Sequence, residues 1–245
     1  MSDGPVIGPD GITRHHGAAI RGRRDRRELA LVFTGGDFGE GCGEILDTLD
    51  RYDVGASFFL TGDFLRNRDN EGGIRRMVAS GHCVGPHSDR HLLYCGWEAE
   101  RPLLIDRKTF VDDLEANLAE LERFGVECSG VRLWIPPYEW HNETVAGWAK
   151  EIGFPLFNFT PGTLSHADYT EEAARNFRSS ETIWRSILTC AGEDPDGLNG
   201  FLLLMHLGAG PGRNDKFWTR LPELLAFLGI KGYAARTVPE LLEGT

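Results

Sequence analysis

The 245-residue sequence has no run approaching the roughly 18 apolar residues needed to cross a bilayer as a helix. It also lacks an excess of positive charge: 37 acidic against 26 basic side chains leave a formal charge of -11. Nucleic acids and anionic membranes both require a clustered basic surface, so neither is an expected partner. Its five cysteines, Cys42, Cys83, Cys95, Cys128 and Cys190, include no Cys-x-x-Cys pair. That signals neither a thiolate metal cluster nor a disulfide framework, and an odd number fits free thiols in a reducing compartment. Residues 1–17 are polar and lack the apolar core of a secretory signal, so the cytoplasm is the expected location. No internal repeat or low-complexity segment is visible, and the sequence does not set the oligomeric state.

What the chain does have is an alternation of apolar runs and amphipathic stretches. Residues 28–34 are nearly all apolar, as in a strand buried on both faces, and end abruptly in Gly35-Gly36-Asp37. Helical periodicity over 40–49 follows, then a strand at 56–60, a helix over 73–80 and a short strand at 82–84. Residues 108–124 form a long amphipathic helix with Phe110, Leu114, Leu118 and Leu121 on its face. A strand at 131–135 stops at Pro136-Pro137, and another at 154–159 is interrupted by Pro155. Helices at 142–152, 180–189, 217–228 and 238–242 and strands at 201–206 and 233–235 complete the pattern. Residues 160–177 read as a long loop. Repeated strand–helix units without a linker predict one parallel α/β domain, residues 28–245, after an N-terminal extension, residues 1–27. It is either a barrel or a doubly wound sheet.

In such folds the chemistry collects at the carboxyl ends of the strands. The polar groups there are Asp37, His87 and His91, Tyr138 and Glu139, more loosely Asp168, and His206. His87 and His91 stand four apart just after a short strand, so a turn of helix would aim both imidazoles the same way. Paired imidazoles suit zinc or a neighbouring first-row metal. The alternative is a solvated surface pair.

Several motifs carry a resemblance. His87-Ser88-Asp89-Arg90-His91 fits the pattern His-Ser/Thr-x-x-His, Pro136-Pro137-Tyr138 follows a strand, and Met205-His206 ends an apolar run. In that order they resemble the polysaccharide deacetylases of carbohydrate esterase family four, the NodB-homology domain, over about residues 28–242. The resemblance implies a distorted (β/α)7 barrel, a metal bound by His87 and His91, and His206 as general acid. Asp168 is similar to the family's aspartate that orients that histidine.

Two departures stand beside the matches. The family's first motif, Thr-Phe-Asp-Asp-Gly, supplies a base and a metal ligand; here it reads Val32-Phe33-Thr34-Gly35-Gly36. The nearest carboxylate is Asp37, on a glycine-rich turn able to bring it back toward a metal. In the third motif Ile135 replaces the arginine that would pair with the base. Losing either member alone would strand a charge, so their joint absence implies a rebuilt site. Glu139 is the candidate relocated base, with Asp37 the alternative.

The expected activity is metal-dependent hydrolysis of N-acetyl or O-acetyl groups on a carbohydrate. It would use one divalent ion (zinc, or Co, Ni or Mn) held by Asp37, His87 and His91, with Tyr138 and Trp140 offering apolar faces to a sugar; Trp97 and Tyr169 are further candidates. Two other readings stay open: hydrolysis of another C–N bond on the same fold, and a non-catalytic carbohydrate-binding relative. Structural roles compete residue by residue: Asp37 as a cap for the helix near Glu40, Glu139 as a solvated loop carboxylate, and Arg21 to Arg27 as a solvated approach to the first strand.

Overall fold

The sequence has one long strand whose residues are apolar on both faces, and the structure is built around it. In this computed structural model, which describes residues 4–126 and 132–243, an antiparallel sheet of β1 (Val6–Ile7), β2 (Thr13–His15) and β3 (Ala18–Arg21) precedes that strand, β4 (Glu28–Gly35). Then come α1 (Cys42–Tyr52), β5 (Ser57–Leu60), α2 (Gly62–Arg66), α3 (Glu71–Ala79), β6 (Cys83–Pro86), α4 (Arg107–Glu122), α5 (Glu143–Glu151) and α6 (Ser180–Glu193). The chain closes with β7 (Leu202–His206), α7 (Leu221–Ile230), β8 (Ala234–Arg236) and α8 (Val238–Glu243).

β4 pairs in parallel with β5, β7 and β8, and β5 pairs with β6. Alternation along β4 sorts its side chains. Ala30 and Val32 join Leu202, Leu204, Phe59 and Phe157 in an inner core, while Leu29, Leu31 and Phe33 face α1, α3, α6 and α7. Thr34 and His206 continue the inward register and lie opposite each other, which brings His206 to the mouth of the interior.

The far side of the barrel is thin. The strands expected at 131–135 and 154–159 shrink to single bridges, Trp134 with Leu156 and Ala19 with Phe157; Val131 lies outside the described residues. Pro136, Pro137 and Pro155 have no N–H to donate, so no continuous ladder can form there. Closure is completed by isolated bonds: Thr160 N–H to Leu202 O at 3.1 Å, Asn158 N–H to Ala19 O at 2.8 Å, and His87 Nδ1 to Ile135 O at 3.0 Å. The result is the distorted parallel barrel that the resemblance implied.

Arg21 is not solvated, as its place in a basic stretch implied. It is only 6% exposed, bonded to Asp194 through Nη1 at 2.8 Å and to the carbonyls of Asn199 (2.8 Å) and Gly197 (3.0 Å), over the Phe201 ring. It ties β3 to the loop before β7. Cys42, Cys83, Cys95 and Cys190 are free and buried, and Cys128 lies outside the described residues.

Arg21→Ala leaves two buried carbonyls and a carboxylate without their donor and is expected to cost about 2–4 kcal/mol. Urea denaturation checks this against Arg23→Ala, at an exposed ion pair with Asp25, which should leave stability nearly unchanged.

Candidate active site

The two histidines of the His-x-x-x-His motif are not on a helix. His87 leaves the end of β6, and residues 87–91 turn without helical bonds, with Ser88 at φ 73° and His91 at φ 52°. Left-handed backbone at non-glycine residues is held only where the surroundings dictate it, and here they do. Asn117 Oδ1 accepts from His87 N–H at 2.9 Å, and Asp113 accepts from the N–H groups of Asp89 (3.1 Å) and Arg90 (3.2 Å). Ser88 Oγ accepts from His91 N–H at 2.8 Å. The loop carbonyls of Ser88 and Asp89 receive the N–H groups of Gly62 and Asp63 at the start of α2. Arg66 of α2 binds Asp89 Oδ1 at 2.5 Å.

Asp113 and Asn117 are one turn apart on α4, in the same buried stripe as Phe110, Leu114 and Leu121. The apolar periodicity of 108–124 located the helix and passed over these two. Polar residues recurring at i and i+4 within a core-facing stripe are the signal that could have found them.

The histidine rings meet edge to face, centroids 5.0 Å apart. Burial drives the His87 imidazole well below its ordinary value, and drives His91 to about 4 against the opposing pull of the Asp37 carboxylate. Both are therefore neutral at pH 7. With His87 Nδ1 committed to the Ile135 carbonyl, its Nε2 faces the cavity, 3.9 Å from Glu139 Oε1.

Glu139 is not the solvated loop carboxylate its position suggested. Its side chain is 14% exposed, and burial raises its pKa to about 7, with the nearby His206 pulling the other way. A left-handed turn puts it there: Tyr138 and Glu139 have φ of 58° and 51°. The turn sends Tyr138 outward, 46% exposed, with its ring 4.4 Å from His91. Asn158 Nδ2 donates to Glu139 O at 2.6 Å and holds the turn from below.

On the opposite wall, Asp168 takes both His206 Nδ1 (2.6 Å) and His206 N–H (3.0 Å). Burial opposes charge on this imidazole, but Asp168 and Glu139 outweigh it and raise the pKa above its ordinary value. Asp168 sits in a loop clasped by the fully buried Arg213, which donates to the carbonyls of Thr170 (3.1 Å) and Arg178 (2.9 Å).

Asp37 is exposed on the turn after β4; it does not cap α1, whose preceding residue is Gly41 and which has no side-chain cap. Asp37, His87, His91, Tyr138, Glu139, Tyr169 and His206 line one cavity of about 530 Å³. Trp140 stands behind that wall. Arg101 covers its ring at 3.6 Å, Trp97 packs against it at 5.4 Å, and its Nε1 donates to Gly96 O.

Among the described residues, no three His, Cys, Asp or Glu side chains are arranged to hold a metal ion. The chemistry of the donors nevertheless fits a divalent cation: two neutral imidazoles, one with its tautomer set by a carbonyl, share a cavity with Asp37 and with a buried carboxylate.

Fold and site together define a parallel barrel whose mouth brings a buried carboxylate and a late-strand histidine into one cavity with two further histidines. The profile of the polysaccharide deacetylase family matches residues 21–157, and the chain belongs to that family. It is 27% identical over 186 residues to the peptidoglycan-N-acetylglucosamine deacetylase PgdA of Listeria monocytogenes, covering 75% of this chain and 33% of that protein. The chain spans only 29% and 33% of the length of the first curated relatives it matches. Among solved structures it resembles the Bc1960 peptidoglycan N-acetylglucosamine deacetylase, with a TM-score of 0.73, 21% identity and 94% of both chains covered. It also resembles BA3943, a family-four pseudoenzyme from Bacillus anthracis, with a TM-score of 0.70, 18% identity, and 93% of this chain and 69% of that one covered.

Asp113→Ala strands two backbone donors and the Tyr94 hydroxyl, which donates to Asp113 at 2.5 Å. It is expected to cost about 3 kcal/mol in chemical denaturation; a loss below 1 kcal/mol would mean water replaces the carboxylate.

Burial also holds His141 down, to about 4. The folded chain then binds fewer protons than the unfolded chain between that value and the ordinary 6.5. The stabilisation is complete above pH 6.5 and is lost as pH falls toward 4. Melting temperature should drop from pH 7 to pH 5, and His141→Gln should flatten that slope. An equal slope in the variant would show that His141 is solvated.

Proposed function

We propose that this chain is a metal-dependent hydrolase that removes N-acetyl groups from a carbohydrate. The observation that carries this reading is the placement of Glu139 and His206 in one cavity beside His87 and His91, with the pKa of the carboxylate raised and that of the imidazole raised too. His87, His91 and Asp37 are the residues that would hold a divalent ion, zinc first and Co, Ni or Mn as alternatives. When bound, such an ion supplies Lewis acidity toward the acetyl carbonyl and toward water.

The chain's own groups divide the proton work. Glu139, titrating near neutrality, takes a proton from the water that attacks the acetyl carbon. His206, whose pKa Asp168 raises against the opposing effect of burial, gives its proton to the amine nitrogen as the C–N bond breaks, and acetate leaves. Ile135 and Thr34 leave no ion pair at the place of the family's base and its arginine, and the base role passes to the turn at Glu139. Tyr138, exposed beside His91, offers a face to the sugar that carries the acetyl group.

Acetate release from acetylated chitooligosaccharides tests the reading. Glu139→Gln should lower kcat about 100-fold and leave metal content and melting temperature in place; unchanged turnover would return the base role to Asp37. Elemental analysis should find about one divalent ion per chain, lost in His87→Ala. Bound metal without acetate release would favour a different C–N bond, and neither metal nor turnover would place the chain with the pseudoenzymes.

A further inference from the structure

Among the described residues, one side chain on the wall of the candidate cavity carries a buried polar atom without a hydrogen-bond partner: Thr34, through its hydroxyl oxygen Oγ1. The residue is only 2% exposed. A hydroxyl kept from water and from every protein partner destabilises a fold, and valine would fill the same space without that penalty. Buried hydroxyls on adjoining segments are engaged. Ser57 Oγ accepts from Val238 N–H at 2.8 Å, Thr61 Oγ1 accepts from Phe64 N–H at 3.1 Å, and Thr160 Oγ1 donates to Ile20 O at 2.5 Å.

The backbone around Thr34 is clamped. Leu207 N–H bonds the Thr34 carbonyl at 2.9 Å, and Thr61 N–H bonds that of Gly35 at 2.9 Å. In this register Thr34 lies opposite His206 and its side chain points inward, as do those of Ala30 and Val32. Position 35 faces the other way: a Cβ there would lie 2.8 Å from Leu60 and 3.0 Å from Leu207 and Phe64. Thr34 is therefore the last side chain that β4 delivers to the interior, and it shares one cavity with Glu139 and His206.

We propose that the Thr34 hydroxyl holds the attacking water for Glu139. That water has two O–H bonds. One proton passes to the Glu139 carboxylate as the oxygen bonds to the acetyl carbon. The other stays on the oxygen and is donated to Thr34 Oγ1, which keeps its own proton. Fixing the second O–H aims the oxygen lone pair at the carbonyl, an orientation that a single carboxylate does not set. A hydroxyl also adds no charge to the Glu139–His206 pair, whereas a carboxylate at this position would disfavour ionised Glu139. The inference rests on the carbohydrate hydrolase reading above and deepens it.

Thr34→Val removes the hydroxyl at nearly constant volume, and Thr34→Ser keeps it. The full chain, metal-supplemented, is assayed for acetate release from acetylated chitooligosaccharides, and each variant is melted and analysed for metal. Thr34→Val should lose about tenfold in kcat with KM and metal content unchanged. Its melting temperature should hold or rise, because the folded chain loses no hydrogen bond. Thr34→Ser should recover most of the turnover. Unchanged kcat in Thr34→Val, an equal loss in Thr34→Ser, or a fall in melting temperature or metal content in Thr34→Val would each overturn the assignment and leave the hydrolase reading standing. No acetate from the wild type would overturn both.

Discussion

Everything at the mouth of this barrel depends on one constraint: a buried turn must have its backbone polar groups satisfied. The segment from His87 to His91 is too irregular to satisfy itself. Asp113 and Asn117 of α4 supply its acceptors, and the first turn of α2 supplies its donors. Each missing partner would cost on the order of 1–3 kcal/mol. That cost fixes the left-handed residues Ser88 and His91, and with them the direction of both imidazoles.

The same logic bears on the first and third motifs. Ile135 is fully buried in the inner apolar core, and Thr34 and Gly35, which end β4, carry no carboxylate with which a charged residue in its place could pair. The carboxylate stands instead on the strained Tyr138–Glu139 turn. Ile135 retains one polar duty: its carbonyl fixes the His87 tautomer. An apolar side chain here orients the neighbouring histidine through its backbone alone.

How much of this was legible in the sequence follows from the range of each signal. Strand–helix alternation is local and periodic, so the barrel elements, and strand ends such as His206, could be read from it. The turn at His87 was misread as helical because i and i+4 spacing is equally available to a tight turn held by distant groups. The burial of Arg21 and of Glu139 depends on residues far along the chain, Asp194 and Asn158 among them, and nothing within a short window announces it. Asp113 and Asn117 were visible as polar interruptions of an apolar stripe, but only the structure shows what they hold.

The pairing of Glu139 with His206 has a further consequence. Each lies in the other's field: the carboxylate helps raise the imidazole, and the imidazole restrains the rise that burial imposes on the carboxylate. Set across one cavity, with Asp168 biasing the imidazole, each favours the charged form of the other. The negative partner of the late histidine therefore does not come from the end of the first long strand, where Thr34 and Gly35 stand: a different turn supplies it, and the coupling comes from proximity within the cavity rather than from position in the chain.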